Sequence, residues 1–353
     1  MRSESLYNTV FIYYFESALK QIELRFAHFQ PPTNYASTRY LAPWAKKVEE
    51  ATGGKVKVTV YAGGTLAKET ETLTAVQFGV ADIGLLVDAY AKGSFPLGEV
   101  NSLPFIGLLS GKQDGKTLSP GLVNSLISWE LYEKVPELQA EHANLKVKCL
   151  FVHTTIPASL VTAKKPVRNL KDLQGLKVRT LPGSQTETMK ALGAAPSTLP
   201  IPEVYEAAQR GVLDGMVANP AQILNYRFWD VFPYETAVNL GIGNRFSMIM
   251  NLEKWNSLPP DVQKGIMSVS GRYGAAFAGE EGYGFGALQE VTEAMTKAGR
   301  TMTSINLDPG EEQKWIDVGG KPIWDKWVAE MKAKGLPGQK VLDELLQIQA
   351  KYK

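Results

Sequence analysis

The sequence predicts an α/β protein with two lobes, and three observations lead to this fold class. The first hundred residues alternate between strand and helix patterns, which is typical of a sheet covered by helices. A similar alternation begins again near residue 145 and continues to residue 218. At 353 residues, the chain is long enough for two domains of modest size. Because further strand and helix patterns follow, we expect the chain to return to the first unit after building the second.

The first unit is predicted from period-two and helical spacing. Residues 41–52 carry apolar side chains at helical intervals, and a second helix follows Gly63 and Gly64. Strands are predicted for residues 22–29, 55–61 and 81–87, the last of which is apolar enough to be buried. This order predicts a largely parallel sheet with right-handed crossovers.

The second unit and the C-terminal region follow the same rules. Strands are predicted at 145–152, 176–180, 216–218 and 244–251, and helices at 185–192, 204–210, 324–334 and 341–352. Residues 258–299 form one long helical pattern interrupted by glycines. We therefore assign residues 21–155 and about 243–285 to lobe I, and about 156–242 and 286–353 to lobe II.

The N-terminal segment 1–20 meets only one of the three requirements of a secretory leader. Such a leader has a basic start, an apolar stretch of ~7–15 residues and a small-residue cleavage site. We interpret 1–20 as an extension without a recognisable leader, and a native N-terminal helix remains the alternative.

Composition excludes several classes of function. Lys and Arg number 38 against 36 Asp and Glu, so the net charge of +2 gives no field suited to nucleic acid. The single cysteine, Cys149, allows neither an internal disulfide nor a cysteine-based zinc site. No stretch reaches the ~20 apolar residues of a membrane-spanning helix.

Enzyme signatures are missing from the sequence. It contains no GxxxxGK[ST] phosphate loop, no HExxH, no GxSxG and no dinucleotide-binding fingerprint. His28, His142 and His153 are far apart, which disfavours a histidine metal site. His28 ends the first predicted strand, and a structural role and a cleft role are equally open for it.

Arg179 is the strongest candidate for ligand binding. It lies near the carboxyl end of a predicted strand, the edge at which open α/β sheets bind ligands. A guanidinium there can hold a carboxylate through two parallel hydrogen bonds. An ordinary ion pair with a surface carboxylate explains the residue equally well at this point.

Several strings in the sequence form a recognisable set. The most specific is EVYEAAQRGVLDG at 203–215, and any one of the others alone would be weak. The others are GLKVR at 175–179, LGAAP at 192–196, NP at 219–220, GGTL at 63–66 and VQFGVADI at 76–83. In order and spacing these strings resemble the signature of the DctP-type solute-binding proteins of tripartite ATP-independent periplasmic (TRAP) transporters, and the resemblance covers the chain from about residue 22 to 350.

The resemblance implies a periplasmic-binding-protein clamshell, type II-like, in which each lobe is a mixed sheet flanked by helices and a long helix spans both lobes. It implies a ligand carboxylate held by Arg179 and a polar contact from Asn219. By position in the family pattern, further residues are expected near the cleft, namely His28, Phe29, Tyr90, Ser159, Ile201 and Phe246.

One departure from the family pattern bears on the ligand. Ser159 stands where relatives that bind sialic acid carry a second arginine, which disfavours a heavily oxygenated acid. Since Leu86, Val87 and Ile201 are apolar, we expect a monocarboxylate with an apolar or aromatic body. No cofactor is expected, and a metal ion beside the ligand is left open.

The resemblance further implies a periplasmic monomer that is not an enzyme. Its partners would be a small organic acid and the TRAP membrane subunits, with no nucleic acid. Ligand contacts formed only in the closed state would drive closure of the lobes. The alternatives are a sensor or chemoreceptor-type binding protein and, less favoured, an enzyme on the same fold. An ABC-type binding protein is disfavoured by Arg179 and the string at 203–215.

Overall fold

The computed structural model describes residues 21–91 and 93–353, so the interpretation of 1–20 lies outside the described residues. The strands of the first sheet, numbered in chain order, are β1 (Ile22–Ala27), β2 (Val56–Tyr61), β3 (Ile83–Val87), β6 (Val147–Thr154) and β12 (Arg245–Asn251). They lie in the order β2-β1-β3-β12-β6. As the alternation predicts, β1 is parallel to β2 and β3, whereas β12 is antiparallel to β3 and β6.

The second sheet has six strands. They are β7 (Ser159–Thr162), β8 (Lys177–Thr180), β9 (Ala195–Thr198), β10 (Gly215–Ala218), β11 (Tyr234–Ala237) and β13 (Thr303–Asn306). Their order is β13-β11-β7-β10-β8-β9, and β7 runs antiparallel to both its neighbours. A separate hairpin is formed by β4 (Gly111–Gln113) and β5 (Lys116–Leu118). Both main sheets are therefore mixed.

Helices cover the sheets. Those before β12 in the chain are α1 (Ala42–Ala51), α2 (Thr72–Gln77), α3 (Pro120–Lys134), α4 (Pro136–Asn144), α5 (Leu170–Leu173), α6 (Ser184–Ala191), α7 (Ile201–Gln209) and α8 (Pro220–Tyr226). Those after it are α9 (Leu252–Ser257), α10 (Pro260–Ser268), α11 (Gly271–Tyr283), α12 (Phe285–Lys297), α13 (Pro309–Gly319), α14 (Lys321–Ala333) and α15 (Gly338–Ala350). Short turns of 3-10 helix include Glu69–Glu71 and Asp88–Tyr90, and Ser37–Leu41 is a π-helix.

Two chain segments cross between the sheets side by side. The segment after β6 and the segment before β12 pair in antiparallel fashion through an isolated bridge between Pro157 and Ile242. The backbone N–H of Thr155 donates to the carbonyl of Asn244 at 2.9 Å. Paired crossing strands of this kind hold the lobes together while leaving them free to rotate about the crossing.

The predicted long helical tract is three helices in succession, α10, α11 and α12. α11 packs on α3 so closely that a Cβ on Gly279 would lie 2.5 Å from the carbonyl oxygen of Gly121. α12 instead packs on α8, beside the second sheet. The tract bends at Gly284, where the extended backbone (ψ −168°) ends α11. Glycine is a usual site of such helix kinks.

The C-terminal helix α15 belongs to the core around α3. Val341, Leu345 and Ile348 share a buried apolar cluster with Val123 and Leu126. Trp327 and Met331 of α14 belong to the same cluster. We therefore propose that α14 and α15 pack with lobe I, rather than with lobe II as predicted from the sequence.

Candidate ligand-binding cleft

A cavity lies between the two sheets, at the carboxyl ends of β1 and β8. The space between its walls is about 370 Å³ when the part open to solvent is counted, and about 20 Å³ of it would admit the centre of a water molecule. The lining residues are Phe29, Gln30, Glu69, Thr155, Arg179, Leu181, Ile201, Asn219, Ala221, Gln222, Asn225, Tyr226, Asn244, Phe246 and Tyr283. Five of the eight site residues predicted from the sequence are in this lining, namely Phe29, Arg179, Ile201, Asn219 and Phe246. A sixth, Tyr90, contacts the lining residue Arg179.

Arg179 is held rigidly at the floor of the cavity, with only 1% of its surface exposed. Its Nε donates to the carbonyl of Leu199 at 2.9 Å, and Nη2 donates to the hydroxyl of Tyr90 at 2.9 Å. Nη1 is buried and has no hydrogen-bond partner. A buried, unpaired charged donor is costly unless a partner satisfies it, and this edge of the guanidinium is open to a hydrogen-bond acceptor from the cavity.

Tyr90 approaches Arg179 from the other lobe. Tyr90 ends the short turn that follows β3 of the first sheet, whereas Arg179 is on β8 of the second sheet. Burial raises the pKa of Tyr90 to about 12, although the positive charge of Arg179 opposes the rise. The hydroxyl therefore stays neutral and orients the guanidinium without cancelling its charge.

Asn219 offers a second donor because the oxygen of its side-chain amide already accepts a hydrogen bond from its own helix. Oδ1 accepts a hydrogen bond from the backbone N–H of Gln222 at 3.1 Å, and Gln222 Oε1 accepts from the N–H of Asn219. This reciprocal capping box starts α8. Nδ2 is thereby left buried and without a partner at the cavity. The local helix cap thus fixes which end of the amide faces a ligand.

Glu69 adds an acidic group that the sequence patterns did not indicate. It begins the 3-10 turn before α2 and is 8% exposed. Burial raises the pKa of Glu69 to about 7, while the charge of Arg179 and the backbone N–H of Ile201 oppose that rise. Oε2 is buried and unpartnered. The cavity therefore holds an acceptor as well as donors.

Aromatic rings form much of the remaining surface. Phe246 is 1% exposed, and its ring stacks on His153 at 5.0 Å between centroids. Tyr283 lies at the end of α11 with its ring 16° from the plane of Phe246. Together with Phe29 and Ile201 these side chains make an apolar surface suited to a planar or compact ligand body.

Two predicted site residues do not line the cavity. The hydroxyl of Ser159 donates instead to Glu235 Oε1 on the neighbouring strand β11 at 2.6 Å. His28 is 1% exposed and lies 5.6 Å from the ring of Phe26. Successive residues of an extended chain face opposite sides, so that Phe29 is at the cavity while His28 is in the core.

A larger cavity of about 900 Å³ adjoins the first near Leu181. Its buried charges, Asp88 and Arg245, form an ion pair with each other. Glu99 there accepts a hydrogen bond from the backbone N–H of Ser184 at 2.5 Å, across the two lobes. Since its arginine is already neutralised, this cavity suits an anionic ligand less well than the one around Arg179.

Two negative findings apply to the described residues, 21–91 and 93–353. No helix among them combines the length and the apolar composition needed to span a membrane. No group of three or more His, Cys, Asp or Glu side chains in this part of the chain is placed to hold a metal ion.

The fold and the cleft define a class: this is a two-lobed solute-binding protein. Its family follows from comparison, because the model described as bacterial extracellular solute-binding protein, family 7 (DctP) matches residues 26–330. The protein belongs to that family. The C4-dicarboxylate-binding periplasmic protein DctP of Rhodobacter capsulatus is 27% identical over 328 residues, covering 90% of each chain.

Solved structures agree with this assignment. A TRAP periplasmic solute-binding protein of Desulfovibrio salexigens is 32% identical, with a TM-score of 0.77 over 94% of this chain and 97% of its own. A TRAP protein of Bordetella bronchiseptica with bound (R)- and (S)-mandelate is 25% identical, with a TM-score of 0.80 over 94% and 99%. The resemblance seen in the sequence and the predicted two-lobed α/β fold are confirmed. The protein is a TRAP extracytoplasmic solute receptor.

Proposed function

We propose that this protein captures a small organic monocarboxylate with an apolar or aromatic body in the cavity around Arg179 and delivers it to TRAP membrane subunits. The observation that carries the proposal is the pair of buried, unpartnered donors, Arg179 Nη1 and Asn219 Nδ2, at one cavity. A carboxylate has two oxygens that accept hydrogen bonds, and both donors are of the type that strengthens toward a charged acceptor.

The apolar surface limits what the rest of the ligand can be. Phe29, Phe246 and Tyr283 would exclude water from a ring or branched body. Among the described residues that line the cavity, Arg179 is the only arginine or lysine, so that a second carboxylate would lack a cationic partner there. The mandelate bound by the relative from Bordetella bronchiseptica is a carboxylate of this kind.

Ligand binding would favour the closed arrangement of the lobes. Contacts between the lobes meet at the cavity: Arg179 donates to Tyr90, and the backbone N–H of Tyr35 donates to Asn225 Oδ1 at 3.1 Å. A ligand that touches both lobes binds the closed form more tightly and shifts the population toward it. The closed form would then dock on the membrane subunits. We propose that the protein acts there as a periplasmic monomer and leaves its ligand chemically unchanged.

The first experiment measures ligand affinity by calorimetry after a thermal-shift screen of small carboxylates. We expect Arg179→Ala to weaken binding at least about 100-fold, because the positive charge and the Nη1 hydrogen bond to the carboxylate are both lost. Arg179→Lys keeps the charge and loses the planar guanidinium, so its affinity should lie between those of the wild type and the alanine variant. Arg168→Ala, at an exposed arginine of the same lobe, is the matched control and should bind as the wild type does.

Two results would count against the proposal. If Arg179→Ala binds the same acids as tightly as the wild type, the carboxylate lies elsewhere. If no acid in a broad panel binds, and none is released on denaturing the purified protein, the ligand class is wrong. Delivery is tested separately by uptake into proteoliposomes that contain the membrane subunits, where Arg179→Ala should abolish ligand-dependent transport.

A further inference from the structure

The cavity contains more polar groups than one carboxylate can satisfy. Buried side-chain atoms without a hydrogen-bond partner are found on five of its lining residues, Glu69, Arg179, Asn219, Tyr226 and Asn244. Two of these atoms, Arg179 Nη1 and Asn219 Nδ2, are donors. Two others, Glu69 Oε2 and Asn244 Oδ1, accept hydrogen bonds, and a carboxylate offers them nothing.

The position of Glu69 is not explained by its own helix. An acidic residue at the start of a helix commonly interacts with the N–H groups of that same turn. Here the carboxyl group instead faces the backbone N–H of Ile201, the first residue of α7 in the other lobe. Since Oε2 remains buried and unpartnered at the cavity, a carboxyl group at this position costs stability that an apolar residue would not.

Resting on the proposed function, we infer that Glu69 is a specificity-determining residue, whose free oxygen accepts a hydrogen bond from a hydroxyl or N–H group of the ligand. The preferred ligand is then a monocarboxylate that carries one such donor on a compact or aromatic body. Asn244 Oδ1 supplies a second acceptor on the segment that crosses between the lobes.

The groups around Glu69 are compatible with this role. Arg179 faces it from β8, and the phenols of Tyr90 and Tyr226 face it from the turn after β3 and from α8. Burial raises the pKa of both phenols, so Arg179 is the only charged partner among the three. A neutral ligand donor therefore completes the site without adding a further charge, whether Glu69 is ionised or protonated.

The test compares matched acids that differ by one donor. Mandelate is paired with phenylacetate, and 3-hydroxybenzoate with benzoate, and dissociation constants are measured by calorimetry. For at least one pair, we expect the wild type to prefer the donor-bearing acid by about 10- to 100-fold, as for a hydrogen bond to a charged or buried acceptor.

Two substitutions locate the preference at Glu69. Glu69→Leu should reduce it to within about two-fold while binding of the donor-free acid is retained, because the acceptor is gone and Arg179 is intact. Glu69→Gln keeps one amide acceptor and should give an intermediate preference. If the Leu variant fails to fold, the Gln variant provides the comparison with the wild type. Circular dichroism checks the fold of both.

The inference is overturned if the wild type binds both members of every pair equally, or if folded Glu69→Leu keeps the preference. These results leave Arg179-dependent binding of carboxylates intact, so they are distinct from a failure of the proposed function. If binding of all the acids is independent of Arg179, the proposed function fails and the role of Glu69 fails with it.

Discussion

Asn219→Asp separates the two tasks of this side chain. Oδ1 caps α8 by accepting from Gln222, and Nδ2 is the buried, unpartnered donor. Aspartate keeps the capping oxygen and is at least as good as asparagine at a helix N-terminus. It replaces the donor with an acceptor that carries negative charge, so that it would repel a ligand carboxylate and compete for Arg179.

The magnitude follows from the two effects. Loss of a hydrogen bond to a charged group costs about 1.5–3 kcal/mol of binding free energy. Two like charges about 4 Å apart add roughly 4 kcal/mol at an effective dielectric constant of 20. We therefore expect the affinity to fall on the order of 10³-fold or more. The cap of α8 is kept, so any loss of stability without ligand comes from burying the new carboxylate at a position with 0% exposure, a cost that the charge of Arg179 partly offsets.

The assay is calorimetric titration of a carboxylate that binds the wild type, together with chemical denaturation of the ligand-free proteins. Asn219→Ser is the matched control, because serine also caps helices but presents no Nδ2 and no charge. It should lose only about 10- to 100-fold in affinity. If the Asp variant binds no worse than the Ser variant, no ligand carboxylate lies beside residue 219, and the assignment of Nδ2 is refuted.

Two further predictions concern the core and the bend between lobes. Burial lowers the pKa of His28 to about 4 in the folded protein, against about 6.5 in the unfolded chain. Between these two pH values the unfolded chain binds the proton and the folded protein does not. The free energy of unfolding therefore falls by up to about 3 kcal/mol as the pH is lowered from 6.5 to 4. His28→Phe should remove this part of the acid sensitivity in denaturation at pH 7 and 4.5 without changing ligand affinity; an unchanged pH dependence would contradict the shift. Gly284→Ala places a Cβ 2.4 Å from the carbonyl oxygen of Glu280, so we expect weaker binding through altered closure, measured by small-angle scattering with and without ligand. Wild-type scattering and affinity in that variant would show that the bend has no part in closure.

The arginine of the site could be predicted because its evidence is local. Arg179 lies at the end of a strand whose pattern is plain in the sequence, and parallel strands bring such ends to one edge. Asn219 was expected only from the resemblance to the family, although the Asn-Pro pair that starts its helix is a local feature.

The acidic and aromatic parts of the site depend on long-range packing. Glu69 is in a short turn whose sequence suggests only an exposed helix start, and its burial comes from α7 in the other lobe. Tyr283 seemed part of a helix interior, because the bend at Gly284 is set by packing of α11 and α12 on different lobes. His28 was expected at the cleft and lies in the core, since a shift of one residue along an extended chain reverses the side it faces.

The glycine contact between α3 and α11 determines where the protein can bend. Because the backbones of Gly121 and Gly279 lie in close contact, we expect α11 to move with lobe I and any rotation between the lobes to be taken up at Gly284. Beyond that point α12 acts as a lever: its 13 residues measure about 20 Å at 1.5 Å per residue. A turn of about 10° at the bend would displace its far end by roughly 3 Å. Tyr283 directly precedes the bend and also lines the cavity. A ligand in contact with Tyr283 would therefore act directly on the residue beside the bend.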